Sequence, residues 1–154
     1  MKVIDLLDKN RIIADLQARD KRGAVEELAA TLVTQDKTLS QAKVVEVLLE
    51  RERLGSTGIG DNIAIPHGKL KNLSQLIISF GRSREGVNFD SMDGKPTHLF
   101  FLLIAPENSV GVHLRALAKI SRMLKNPSFR QKLMDAPGPE EIYQLIAEED
   151  ALLG

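Results

Sequence analysis

The chain has 154 residues, of which 43% are hydrophobic, and it balances 21 Lys+Arg against 21 Asp+Glu with no cysteine. A zero formal charge argues against nucleic acid as the main partner, because phosphate-backbone binding needs a basic surplus or a strong basic stripe. The lack of cysteine excludes disulfides, thiolate catalysis and cysteine-ligated metal, and it suits a cytoplasmic protein.

One domain over residues 1–154 is expected, with no linker, internal repeat or membrane insertion. The longest apolar run, Leu99 to Ala105, falls far short of the ~20 residues that cross a bilayer. Asp5 interrupts the start of the chain where a signal peptide would turn apolar.

The first strand signal is Arg11 to Leu16, around Ile12-Ile13. A helix is predicted from about Asp20, a plausible N-cap, to Thr34; Val25, Leu28, Ala29, Leu32 and Val33 make one apolar face. A second helix follows Ser40 and reaches about Arg53, with Gly55 just past its end. Short strands are predicted at Asn62–Ile65 and Leu76–Phe80, and a doubly buried one at Thr97–Ala105, stopped by Pro106. The last third reads as three helices: from Asn108 or Ser109 to Leu124, from Pro127 to Ala136, and from Pro139 to about Ala151. Central strands with helices before and after predict an α/β fold: a mixed sheet of about five strands flanked by helices.

Charge is uneven in this last third. Arg115, Lys119, Arg122, Lys125, Arg130 and Lys132 fall in a stretch without acids, and the five acids after Pro139 fall in one without bases. Two solvated faces, pairing with each other, explain this; a partner-docking surface is the alternative.

Three histidines exist: His67, His98 and His113. None has the i, i+4 spacing of a zinc helix, and neither a nucleophile elbow nor a Walker loop is present, so no metal and no cofactor is expected. Gly58-Ile59-Gly60 begins a dinucleotide-type G-x-G, but Ile63 stands where the third glycine belongs. His98 lies inside the apolar strand and reads as structural.

The informative stretch is Arg51 to Lys69, RERLGSTGIGDNIAIPHGK. Its glycines free the backbone to present N–H groups, and Ser56 and Thr57 add hydroxyl donors. Pro66 and Gly68 bracket His67, which is either a rigidly presented site histidine or a satisfied turn residue. Val44, Val47, Leu48 and Arg51 share a helix face, so Arg51 continues an apolar stripe and invites an anion; complementing the helix dipole is its simpler role. His113 shares a face with Leu117, Ile120 and Leu124 in the first turn of its helix, where the dipole favours both an anion and a neutral ring; a core-edge histidine bonded to a carbonyl is the alternative. A nucleophilic imidazole, an arginine, a second imidazole and a donor-rich loop suit histidine-to-histidine phosphoryl transfer, which needs positioning and charge compensation.

These residues resemble a known family. Gly55-Ser56-Thr57-Gly58-Ile59-Gly60 followed by Ile63-Ala64-Ile65-Pro66-His67-Gly68-Lys69 is similar to the signature of the IIA domains of the phosphoenolpyruvate-dependent sugar phosphotransferase system, fructose/mannitol type. His113-Leu114, Ser121-Arg122-Met123-Leu124, Pro127 and Phe129-Arg130 extend the likeness along the chain. The resemblance implies that His67 takes a phosphoryl group on Nε2 from an HPr-type histidine phosphocarrier, with Arg51 and His113 supporting it. It makes Ser56, Thr57, Gly58 and Gly60 candidates for a phosphoryl-binding loop. Asn62 departs from the glycine of many relatives, but Asn tolerates left-handed backbone and the turn is expected to survive.

Arg51-Glu52-Arg53-Leu54-Gly55-Ser56-Thr57-Gly58, with no fused IIB or IIC domain expected, is most similar to the nitrogen-related regulatory IIA proteins, whose phosphorylation state controls partner binding. A fructose- or mannitol-type IIA that feeds a IIB domain is the alternative within the family. From other classes come an interaction module docking through the basic helix Val110–Leu124, and a nucleotide sensor built on the glycine loop.

Overall fold

A computed structural model describes residues 2–154. A 3-10 turn, Val3–Leu6, leads into β1 (Leu7–Ile13). Two helices follow, α1 (Lys21–Gln35) and α2 (Gln41–Arg53). Then come β2 (Gly58–Gly60), β3 (Ile63–Ala64), β4 (His67–Leu70), β5 (Ile77–Val87) and β6 (Thr97–Pro106). The chain closes with α3 (Val110–Leu124), α4 (Pro127–Asp135) and α5 (Pro139–Leu153).

The helix starts are set by side chains that satisfy free N–H groups. Asp20 accepts from Gly23 N–H at 2.8 Å, Ser40 from Lys43 N–H at 3.3 Å, and Asn126 from Ser128 N–H at 3.0 Å. Ser109 behaves differently: its hydroxyl donates to the Pro106 carbonyl at 3.0 Å, so the first turn of α3 has no side-chain cap.

The sheet is mixed, as expected, and has six strands in the order β1-β5-β6-β3-β2, with β4 also on β6. β6 runs parallel to β3 and β4 and antiparallel to β5, while β1 is parallel to β5. β3 and β4 are one interrupted line along β6, pairing Ile63 with Leu99 and His67 with Leu103. The interruption falls at Ile65-Pro66. Ile65 N–H turns to the Thr57 carbonyl at 3.1 Å, and Pro66 has no N–H, though its carbonyl still accepts from Leu103 at 3.0 Å. Two strands go beyond those predicted: β2, expected as loop, and β4, which begins at His67, two residues past the predicted Asn62–Ile65.

Two other boundaries differ. β1 covers Leu7–Ile13 instead of Arg11–Leu16 because Leu7 and Ile12 both face the core across a register break, which no alternation in the sequence shows. β5 continues past Phe80 to Val87 because Arg82, which would end an apolar run, is fully buried. Its guanidinium donates to the carbonyls of Ala14, Leu133 and Ala136, holding the end of α4 to the sheet.

Alternation along β6 divides the core. Leu99, Phe101, Leu103 and Ala105 face α3, α4 and α5; Phe100, Leu102 and Ile104 face α1 and α2. β4 has a strand partner on one side only, so its far side is a sheet edge that both helix layers can reach.

Candidate functional site

Ile63 and Ile65 belong to the core layer under α3. His67 lies two residues further along the same line, and its ring meets His113 of α3 with centroids 5.4 Å apart and planes at 89°. Gly68 faces the opposite layer, where a Cβ would stand 2.5 Å from Val47 Cγ1, so α2 can lie this close only over a glycine. Arg51, at the end of α2, and His113, in the first turn of α3, thus approach His67 around the open edge of the sheet. All three line one cleft of about 620 Å³, with Lys69 and the apolar residues Leu54, Val110 and Leu114 at its margin.

His67 is half-buried, and its Nδ1 lies 2.8 Å from the Ile65 carbonyl oxygen. A carbonyl can only accept, so Nδ1 carries the proton and Nε2 keeps its lone pair. Burial pushes the imidazole pKa below its ordinary value; the Ile65 hydrogen bond opposes this, the Arg51 charge adds to it, and Glu52 opposes it. His113 is 5% exposed, yet neither ring nitrogen has a hydrogen-bond partner among the described residues. Burial, then the proximity of His67 and Lys69, also lowers its pKa. Both rings are therefore held toward the neutral form, and a buried donor on His113 is left without an acceptor beside the free Nε2 of its neighbour. A buried polar group without a partner is rare enough to indicate a ligand or a role. The partly exposed Arg51 guanidinium donates from Nη1 to the Gly55 carbonyl at 3.0 Å.

The expected phosphoryl-binding loop does not reach this cleft; Ser56, Thr57, Gly58 and Gly60 lie outside its lining. The Ser56 hydroxyl donates to the Phe89 carbonyl at 2.8 Å and accepts from Gly58 N–H at 3.0 Å. Thr57 N–H donates to Glu52 Oε1 at 3.1 Å, and its hydroxyl donates to Glu52 Oε2. Gly58 and Gly60 pair in β2 against β3, with Gly60 at φ +94°. The glycines make a tight hairpin, and the hydroxyl donors before it are taken by Phe89 and by Glu52 of α2. The turn holds Asn62 at φ +65°, as expected, and the Asn62 amide donates to the Pro96 carbonyl at 2.7 Å.

His98 is structural: its Nδ1 lies 2.7 Å from the Ser83 carbonyl oxygen. The basic helix is not a uniform solvated face, because Lys119 is buried in an ion pair with Asp150 at 2.5 Å. No group of three or more His, Asp and Glu side chains suited to a metal occurs among the described residues, and no helix among them is long and apolar enough to cross a membrane.

Sequence reasoning missed the apolar margin and the carboxylate of Glu52. Leu54 is 84% exposed and Leu114 61%, yet each continues a helix face: Val47, Arg51 and Leu54 fall at i, i+4 and i+7, and so do Val110, Leu114 and Leu117. Glu52 also left a signal: Val45, Leu48 and Glu52 fall at i, i+3 and i+7, a second stripe that ends in a charge.

Residues 5–149 match the family model described as phosphoenolpyruvate-dependent sugar phosphotransferase system, EIIA 2. A nitrogen regulatory protein of Bradyrhizobium diazoefficiens is 40% identical, covering 96% of this chain and 95% of its own. The fructose-specific EIIABC component of Bacillus subtilis is 35% identical over 97% of this chain, which spans only 24% of that longer protein. The crystal structure of the nitrogen regulatory protein IIA-Ntr from Neisseria meningitidis superposes with a TM-score of 0.88 at 38% identity, covering 94% of this chain and 98% of that one.

Proposed function

Because this chain belongs to the EIIA 2 family of the phosphoenolpyruvate-dependent sugar phosphotransferase system, we propose that it is a phosphocarrier that accepts a phosphoryl group on Nε2 of His67. The observation that carries the reading is the pairing of a ring locked through Nδ1 with an unpartnered buried imidazole beside it. The donor is an HPr-type phosphocarrier protein. The Nε2 lone pair of neutral His67 forms the new N–P bond as the donor's N–P bond breaks. The donor ring leaves neutral, and His67 becomes an imidazolium that keeps its Nδ1 proton on the Ile65 carbonyl. No proton has to move, so in-line placement and charge compensation decide the rate. His113 supplies an N–H to the phosphoryl oxygens, and Arg51 swings from the Gly55 carbonyl to pair with them. The apolar margin of Leu54, Val110 and Leu114 suits contact with another protein at this cleft.

The downstream reading is regulatory. The protein works in the cytoplasm, and its phosphorylation state changes which partner it binds. The 40% identity to a nitrogen regulatory protein along almost all of both chains supports this over sugar uptake. Incubation with phosphoenolpyruvate, the system's first enzyme and HPr should add one acid-labile phosphate per chain, and His67→Ala should take up none. Label on His67→Ala would refute the site. Transfer from the phosphorylated chain to a panel of IIB domains separates the branches: transfer to none supports regulation, and efficient transfer to a fructose or mannitol IIB overturns it.

A further inference from the structure

Glu52 is a buried carboxylate at the end of α2, one residue beyond Arg51 and outside the lining of the cleft. A buried carboxylate is tolerated when its charge is matched and its oxygens are bonded. Oε1 faces Lys21 Nζ at 3.0 Å and accepts from Thr57 N–H at 3.1 Å, while Oε2 accepts from the Thr57 hydroxyl. Lys21 is itself held over the Phe89 ring, 5.1 Å from its centroid. The connection then runs on through the backbone. The Thr57 carbonyl accepts from Ile65 N–H at 3.1 Å, and the Ile65 carbonyl accepts from His67 Nδ1 at 2.8 Å. Ile65 is the residue at which the β3–β4 line leaves β6, so its N–H is held by Thr57, while the sheet resumes only at the Pro66 carbonyl.

We propose that Glu52 is a positioning residue, which through Thr57 and Ile65 holds His67 in the Nδ1–H tautomer with Nε2 free. The proposal rests on the reading of His67 as phosphoryl acceptor. A free imidazole favours the proton on Nε2, the nitrogen that must attack, so the useful tautomer has to be imposed by the acceptor at Nδ1. A mobile Thr57 would let Ile65 drift and release the ring. Glu52 also places a negative charge on the side of the ring that becomes an imidazolium when the N–P bond forms, and it already opposes the downward pull of burial on that ring. Thr57 thus serves the site from behind, through its hydroxyl, its N–H and its carbonyl, and not as a phosphoryl ligand.

The test uses the full chain with Glu52→Gln, Thr57→Val and Thr57→Ser. Nitrogen-15 NMR of the histidine side chains reads the His67 tautomer, and transfer from phosphorylated HPr reads the rate. Wild type and Thr57→Ser should both show Nδ1–H and transfer equally fast. Glu52→Gln and Thr57→Val should populate Nε2–H and slow transfer about tenfold, as loss of a charge-assisted bond implies. A purely structural role would lower the melting temperature and leave the tautomer of the folded protein unchanged. An unchanged tautomer in both variants overturns the proposal whatever the rate does, and so does a shifted tautomer at the wild-type rate. The Thr57 pair decides the question if Glu52→Gln does not fold. The tautomer comparison needs no phosphoryl transfer. Wild-type protein that takes up no label would therefore overturn the acceptor reading separately.

Discussion

One helix carries two buried polar side chains with opposite fates. His113 lies in the first turn of α3 and Lys119 in its second half; they are 5% and 3% exposed. Lys119 meets Asp150 of α5 at 2.5 Å, and Asp150 also accepts Ile4 N–H at 2.9 Å, so one carboxylate ties α3, α5 and the start of the chain together. Burial pushes the Asp150 carboxyl up, but the Lys119 and backbone hydrogen bonds outweigh it and hold the group below the usual carboxylate range. His113 has no such partner among the described residues. The contrast separates two uses of a polar residue in a core. A matched pair fastens elements, whereas an unmatched ring facing an open edge leaves binding capacity for a ligand.

Asp150→Ala should break the first half of that comparison. It strands a buried ammonium and should cost about 3–5 kcal/mol in denaturant unfolding. Transfer by the fraction still folded should stay at the wild-type rate; a loss of transfer there would mean the two ends of α3 are coupled. His113→Leu tests the other half. Removing an unsatisfied polar group should leave stability unchanged or raised. Losing a charge-assisted bond to the phosphoryl group, about 1.5–3 kcal/mol, should slow transfer ten- to a hundredfold in stopped-flow assays. A marked fall in melting temperature would instead make His113 structural.

Gly68→Ala probes the geometry that brings α2 to the cleft. Its Cβ would stand 2.5 Å from Val47 Cγ1, an overpacking worth about 1–3 kcal/mol in thermal unfolding. Transfer should slow with it, because Arg51 moves with the helix. The smallest effect is that of pH. Folding lowers the pKa of His67 and His113 from 6.5, so the unfolded chain binds protons more readily. Their contribution is complete above pH 6.5 and is lost as pH falls below it toward the folded values. Melting temperature should therefore decline from neutral pH down to about pH 5, and His113→Leu should decline less.

What could be read along the chain was what repeats along it. Helix stripes and caps placed α1 to α5 to within a few residues, because period and N-cap chemistry are local. The Gly55–Lys69 stretch pointed to His67, and the ends of two apolar stripes pointed to Arg51 and His113. That the loop donors are engaged elsewhere is not legible, because a hydroxyl or N–H in sequence says nothing of whether Glu52 or Phe89 has already taken it. The strand predicted at Leu76–Phe80 likewise runs on through Arg82 in the fold, because the carbonyls that hold this guanidinium lie some fifty to seventy residues away in the chain.

Residue types and their spacing alone therefore determined an α/β chain with helices before and after its central strands, one exceptional histidine and two helix faces that carry a polar group at one end. Only the tertiary structure decided that the strand through His67 breaks at Pro66, that α2 and α3 meet around a sheet edge, and that Nδ1 is occupied while Nε2 is free. The physical reason is that propensity and periodicity act over one or two turns of chain. Tautomer, burial and the satisfaction of a donor depend on neighbours that the fold alone supplies.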